Sequence, residues 1–364
     1  MAPVVAALKR RGTEFDTRVC VTAQHREMLD QVLEFFDIEP EIDLDLMKED
    51  QSPSQVTCSV LGAMARVLGD EPPDLVLVHG DTTTTMAAAL AAFYRKIPVG
   101  HVEAGLRTGD RYYPFPEEMN RVLADALSTL HFAPTATAKS NLIAAGVDPN
   151  GIYVTGNTVI DALLAVASDP RASDPDLPTE GRLVLVTAHR RENFGRPLED
   201  ICHALRAVVD RFGDVHVVYP VHLNPNVQSV ARSILAGHER IHLVDPLPYA
   251  QFVRAMTRAY IVVTDSGGLQ EEAPSLGKPV LVLRGETERP EAVEAGTVRI
   301  IGTDAGDIER EIVRLLTDED AYRSMAAAVN PYGDGRASER IAGYLRAHFG
   351  FGGASVPPEF VPAE

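Results

Sequence analysis

Short β-branched runs alternate with helical patterns through nearly the whole sequence, and that alternation leaves few folds open. The first series is TRVCVTA (17–23), DLVLVHG (74–80), PVGHVEA (98–104), LHFAP (130–134) and GIYVTG (151–156). The second is RLVLVTAH (182–189), VHVVYPVH (215–222), RIHLVDP (240–246), AYIVVTDSG (259–267), KPVLVLR (278–284) and TVRIIG (297–302). Strands that are apolar on both sides need cover on both faces, so the pattern predicts parallel sheets wrapped by helices. Each series predicts a doubly wound α/β domain with its ligands at the carboxyl ends of the strands, facing a cleft.

A chain of 364 residues exceeds what one hydrophobic core usually serves, so two domains are expected. The stretch ASDPRASDPDLPTEG (167–181) holds prolines, aspartates and serines and little that packs, which marks a linker. The predicted division is an N-terminal Rossmann-like domain over 1–166, the linker, and a C-terminal Rossmann-like domain over 182–334. Helical patterns cover 305–328 and 337–348, the last helix (335–350) falling to either domain, and a Pro/Gly-rich tail over 351–364 is expected to fray. The opening is atypical. PVVAALKRRG reads as a helix where such a domain normally begins with a strand, so the usual first strand is absent from this reading.

Composition removes several function classes. With 45% hydrophobic residues, a large core can be buried, yet no apolar run approaches the roughly 20 residues that span a bilayer. The charges of MAPVVAALKRRG follow its apolar stretch, the reverse of a secretion signal, and a cytoplasmic protein is expected. Cys20, Cys58 and Cys202 lack CxxC spacing and read as reduced, semi-buried thiols. A net charge of −18 without a basic tract argues against nucleic acid. An anionic ligand must then be captured by local donors rather than by the overall field.

Chemistry-bearing residues gather just after the strands. His79-Gly80-Asp81 precedes Thr82 to Thr85 and an alanine-rich helix, so Asp81 is either a helix cap or a group that handles hydroxyls and protons. Strand alternation points His101 and Glu103 to the same side. In Pro114-Phe115-Pro116-Glu117-Glu118-Met119-Asn120-Arg121, proline suits a first helical turn, and Glu117 and Arg121 then share a face at i, i+4, as a site pair or a plain surface ion pair.

In the second half, His189-Arg190-Arg191 follows an apolar strand, and an imidazole beside two guanidiniums suits an anion. His222 ends the next strand. Two histidines near acids also leave metal ligation open, although such residues gather at strand ends in any cleft of this architecture, and no metal is expected. The sharpest local signal is Asp265-Ser266-Gly267-Gly268-Leu269-Gln270-Glu271-Glu272. There a strand ends, two glycines let backbone approach a ligand, and the N–H groups opening a helix favour a phosphate. Glu272 stands one turn in, where it can accept from ribose hydroxyls. No G-x-S-x-G elbow surrounds Ser266, which argues against a hydrolytic nucleophile. Arg289 adds a guanidinium downstream.

The runs VTAQHREMLDQVL, VHGDTTTTMAAALAAFYRKIPVGHVEAGLRTGD, YPVHLNPNV, TDSGGLQEEAPSLGKPVLVLR and ERPEAVEAGTVR closely resemble the non-hydrolysing bacterial UDP-N-acetylglucosamine 2-epimerases over almost the whole chain. The resemblance implies a GT-B fold with the last helix crossing back to the first domain. It also implies interconversion of UDP-GlcNAc and UDP-ManNAc by a homodimer in polysaccharide biosynthesis, without an added cofactor. By motif, Asp81, Glu103, Glu117, Arg121 and His189 match catalytic residues. Phe252, Ser266, Gly267, Gly268, Glu272 and Arg289 match UDP contacts, and Gln24, Arg26, Arg190 and His222 look similar to an allosteric site for UDP-GlcNAc. Two departures stand out. The family begins with a strand ending in a G-T-R-P-E turn, followed closely by a lysine, and this sequence starts beyond that lysine. Leu247 stands where some members have a glutamine near the uracil. The first departure implies either a nucleotide site without those basic residues, with weakened or absent turnover, or a start assigned at an internal methionine.

In the implied reaction UDP leaves, a glycal forms, and UDP returns with a proton on the opposite face of C2. Donors must meet the diphosphate, and carboxylates must manage the proton. Three other readings share parts of this apparatus: a GT-B glycosyltransferase, a hydrolysing epimerase, and an inactive UDP-sugar binding protein.

Overall fold

The computed structural model describes residues 1–23, 26–48 and 51–363. The chain divides into two compact units. The first joins Met1–Ala162 to Tyr332–Val361, and the second comprises Leu163–Pro331 with Pro362–Glu364. The division falls inside the helix Thr158–Ser168, ahead of the proline-rich stretch.

Twelve strands form among the described residues, and every described pairing between them is parallel. In the first unit β1 (Cys20–Val21) pairs with β2 (Ile42–Asp43), while β3 (Val76–His79), β4 (Val99–Val102), β5 (Leu130–Ala133) and β6 (Ile152–Val154) form a second sheet in that order. The second unit holds β7 (Arg182–Thr187), β8 (Val215–Pro220), β9 (Ile241–Val244), β10 (Ile261–Thr264), β11 (Val280–Val282) and β12 (Val298–Ile300). Their sheet order is β12-β11-β10-β7-β8-β9. The order reverses between β7 and β10, and a doubly wound sheet opens its ligand crevice at such a point.

Burial follows from the sequence pattern. Val184, Leu185, Val186, Val217, Val218, Val262 and Val263 are fully buried, because helices cover both faces of the central strands. In the first unit the alanines of the helix Thr83–Tyr94 are buried beside Val60 and Met64 of the helix Pro53–Asp70. Small side chains allow that close approach. The opening helix Ala2–Lys9 and the helix Ala337–His348 share a core with Leu130 and Phe132 of β5. Among the described residues, no helix is long and apolar enough to cross a membrane.

Four expectations need correction. The strand expected over 17–23 contracts to two residues, bonded on one side only, and its partner β2 carries no apolar run that would announce it. The helical pattern over 305–328 is two helices, Ala305–Thr317 and Glu319–Ala326, because the Asp318 carboxylate accepts from Ala321 N at 2.9 Å and restarts the chain. The tail is not frayed over its whole length. Phe360 is buried, its N–H donates to Val154 O at 2.8 Å, and Arg340 lies over its ring. Of the three free cysteines, Cys202 is buried and Cys20 half-buried, but Cys58 is exposed.

Candidate active site

In the first unit β3 and β4 end side by side, with His79 in register with Val102, and the residues just beyond them carry the acids. Asp81 does not cap the following helix. Thr82 holds the cap, its hydroxyl accepting from Thr85 N at 3.2 Å, so the Asp81 carboxylate is left for Arg121, whose Nη2 donates to it. Arg121 is only 6% exposed; its Nη1 also donates to Leu106 O at 3.3 Å and lies 3.9 Å from Glu118 Oε2. A nearly buried guanidinium needs a paired acid, and Asp81 supplies it.

The expected Glu117–Arg121 pair is absent among the described ion pairs. Arg121 turns to Asp81 and Glu118, while Glu118 accepts from Thr108 N and Gly109 N, both at 3.1 Å. Glu117 opens its helix half-buried. Glu103 has left the strand: its φ is +65°, so strand alternation no longer governs its direction. Its Oε2 lies 3.5 Å from His79 Nε2 and accepts from Asn157 Nδ2 at 3.4 Å. His101, expected beside Glu103, is instead wholly buried against Asp125 and Gly80. Asp81 and Glu103 thus stand at the carboxyl ends of β3 and β4, Arg121 reaches Asp81 from the next helix, and Glu117 opens that helix.

In the second unit the groups stand at the switch between β7 and β10. Asp265 is fully buried at the end of β10; its Oδ2 accepts from His189 N and Arg190 N at 2.8 Å and from Asn193 Nδ2 at 3.0 Å. The His189 ring, 41% exposed, lies 3.6 Å from Asp265 Oδ1 and stacks on His222 at 5.3 Å. Desolvation holds this imidazole below its ordinary pKa; Asp265 opposes that shift, and His222 and Arg190 add to it. Ser266 stands at the N-cap of the helix Gly267–Glu272 with no side-chain cap bond, so its hydroxyl is not committed to the helix end.

Above Gly267 the space is open except for two guanidiniums. A methyl there would lie 4.0 Å from Arg190 Nη2 and 4.0 Å from Arg289 Nη2. Arg289 Nε donates to Glu271, its Nη1 lies 3.9 Å from Glu288 Oε2, and Glu288 Oε1 stands 4.0 Å from Arg190 Nη1 and 3.4 Å from Arg284 Nη2. Two cations beside the opening turn of a helix are local donors of the kind an anion needs in a strongly acidic protein, although each also faces a carboxylate. Arg190 stands as near to Gly267 as Arg289 does, although the resemblance groups it with a neighbouring site.

Glu272 is 8% exposed, and burial next to Glu271 pushes its carboxyl up to about 8. Phe252 is half-buried on the helix Tyr249–Arg258, and Leu247 is half-buried in the loop before it. Arg26 pairs with Asp43 at 2.7 Å and Asp30 at 3.3 Å on the first unit, His222 is exposed on the second, and Gln24 lies outside the described residues. Sequence reasoning gave no role to Asp265 or Glu288. Each is an acid inside a quoted motif, and only the fold reveals what it holds.

Comparison with known proteins agrees across the chain. The profile described as UDP-N-acetylglucosamine 2-epimerase matches residues 6–346. The UDP-N-acetylglucosamine 2-epimerase of Escherichia coli K12 is 53% identical over 356 residues, covering 95% of this chain and 94% of that protein. That of Bacillus subtilis is 52% identical, covering 96% and 92%. Among solved structures, Neisseria meningitidis UDP-GlcNAc 2-epimerase bound to UDP-GlcNAc is 45% identical with a TM-score of 0.85, covering 95% of this chain and 96% of that one. The Methanocaldococcus jannaschii enzyme in complex with UDP-GlcNAc and UDP is 31% identical with a TM-score of 0.76, covering 95% of each. This chain, with its two doubly wound GT-B-type halves, belongs to the UDP-N-acetylglucosamine 2-epimerase family.

Proposed function

We propose that the protein interconverts UDP-N-acetylglucosamine and UDP-N-acetylmannosamine. The observation that carries this reading is the open helix start at Gly267, flanked at equal distance by Arg190 and Arg289, in a chain of this family. A diphosphate is the group such a site takes, with Ser266, Gly268 and His189 as further donors and Glu272 and Phe252 serving the nucleoside.

The C2 proton of the sugar is not next to a carbonyl, so it becomes removable only as the C1–O bond to phosphate breaks. UDP leaves with that bonding pair, a carboxylate takes the proton, and a glycal remains. UDP then adds back at C1 while an acid delivers a proton to the other face of C2. No net electron transfer occurs. Asp81, Glu103 and Glu117 are the acids available, and Arg121 orients Asp81. Desolvation holds the imidazole of His189 toward its neutral form, and an arriving diphosphate favours its protonation.

The family's homodimer, cytoplasmic setting and activation through Gln24, Arg26, Arg190 and His222 belong to this reading. Exposed Phe93, Tyr94 and Leu123 support self-association.

The test is proton NMR of UDP-GlcNAc incubated with the protein in D2O. UDP-ManNAc should appear with deuterium at C2 and no free sugar. Release of free ManNAc with UDP contradicts the reading, as does turnover only when an acceptor is present, or binding without turnover. A second expectation concerns Gly267, whose φ lies outside the left-handed region. Gly267→Ala should raise stability by about 0.4–1 kcal/mol through the unfolded chain, yet weaken UDP binding about tenfold, because the methyl enters the phosphate's space. Thermal melts and calorimetry check the opposite signs.

A further inference from the structure

Three consecutive carbonyls at the end of β3 are each held by a side chain from a different element. His79 O accepts from Thr85 Oγ1 at 2.6 Å, Gly80 O from His101 Nε2 at 2.7 Å, and Asp81 O from Asn120 Nδ2 at 3.0 Å. Gly80, at φ +70°, makes the turn between His79 and Asp81, and its carbonyl is the middle point of the three. The holder of that middle point is fully buried and has both ring nitrogens engaged: His101 Nδ1 stands 2.5 Å from Asp125 Oδ1.

The proton count at this ring follows from its partners. Arg107 Nη2 donates to Asp125 Oδ2 at 2.6 Å, and with His101 it holds the Asp125 carboxyl below its ordinary value against desolvation. An ionised carboxylate only accepts, so Nδ1 donates. A backbone carbonyl also only accepts, so Nε2 donates as well. A ring that donates twice is an imidazolium with a fixed orientation, and it cannot flip without losing both bonds.

We propose that His101 is a positioning residue for the reaction: donating from both ring nitrogens, it ties Gly80 O to Asp125 and thereby fixes the turn that presents Asp81. This rests on the assignment of Asp81 as an acid of the epimerase reaction. His101 touches no substrate itself. Its effect reaches the reaction through where the Asp81 carboxylate stands, and a displacement of about 1 Å costs such a group about 100-fold in rate.

Two substitutions divide the bonds of this ring. In His101→Gln the amide nitrogen stands near the old Nε2 and can still donate to Gly80 O; in His101→Asn it stands near the old Nδ1 and can reach only Asp125. The full-length protein is assayed for turnover of UDP-GlcNAc, for UDP affinity and for melting temperature. The expected result is a kcat about 100-fold lower for His101→Asn, substantial recovery in His101→Gln, and unchanged UDP affinity in both. Equal losses in the two variants, tracking melting temperature, would overturn the proposal in favour of a plain core role, and so would wild-type turnover by His101→Asn.

Nitrogen-15 NMR of labelled histidine in the unliganded wild type reads the ring directly and needs no variant to fold. Two protonated ring nitrogens support the double donation, and one bare nitrogen contradicts it. If wild type lacks epimerase activity, the epimerase reading fails while the NMR result still decides the state of the ring.

Discussion

Replacing Asp81 with asparagine is expected to lower kcat about 10²–10⁴-fold while UDP binds as before. The amide keeps the size of the carboxylate and an oxygen toward Arg121, so the ring of contacts around the side chain changes little. What it removes is the capacity to take and return a proton. UDP affinity is expected to stay because the proposed phosphate donors, Ser266 to Gly268 with Arg190 and Arg289, lie on the other unit. Arg121 is nearly buried and loses the nearer of its two counter-charges, keeping Glu118 at 3.9 Å, so some stability is lost too, and melting temperature must be measured alongside. Deuterium exchange at C2, followed in the same samples, separates the chemistry from release of product. Near-normal turnover by the variant would remove Asp81 from the mechanism.

The second large effect is on stability. The Glu272 carboxyl has an ordinary value of 4.5 and is pushed up to about 8 in the folded protein by burial and by Glu271. Between those values the folded chain keeps a proton that the unfolded chain has lost. Stability from this group therefore falls as pH rises from about 4.5 to about 8 and is level outside that window. At about 1.4 kcal/mol per pH unit, the total is about 5 kcal/mol. Glu272→Gln removes the titration. Denaturant unfolding at pH 5 and pH 8.5 should show wild type losing several kcal/mol relative to the variant, whereas parallel profiles would mean that Glu272 is not held as a neutral acid. The same substitution should weaken UDP binding, since glutamine offers the ribose hydroxyls one oxygen in place of two.

Much of this fold is legible because both faces of its central strands are buried. Continuous runs such as RLVLVT and YIVVT have few other uses, and the glycines at 267 and 268 do open a helix, with space above Gly267. What sequence reading misses is decided by partners distant in the chain. His101 lies on an apolar strand beside Glu103, and alternation gives both the same side; a positive φ at Glu103 breaks the rule, and Asp125, 24 residues on, claims the imidazole. The i, i+4 spacing of Glu117 and Arg121 is real, yet Asp81, 40 residues back, takes the guanidinium. Asp265 reads as an unremarked strand-end acid until its carboxylate is seen to hold the His189 and Arg190 backbone. The tail looks frayed by composition, and one backbone bond with a buried Phe360 pins part of it.

The proposed reaction requires an anion seated over Gly267 in the second unit. A crystal structure of the protein with UDP tests this most directly. The diphosphate should lie within hydrogen-bonding distance of the Gly267 or Gly268 N–H and of the Arg289 guanidinium, with the ribose toward Glu272. UDP bound elsewhere, with the space between Arg190 and Arg289 empty, would contradict it.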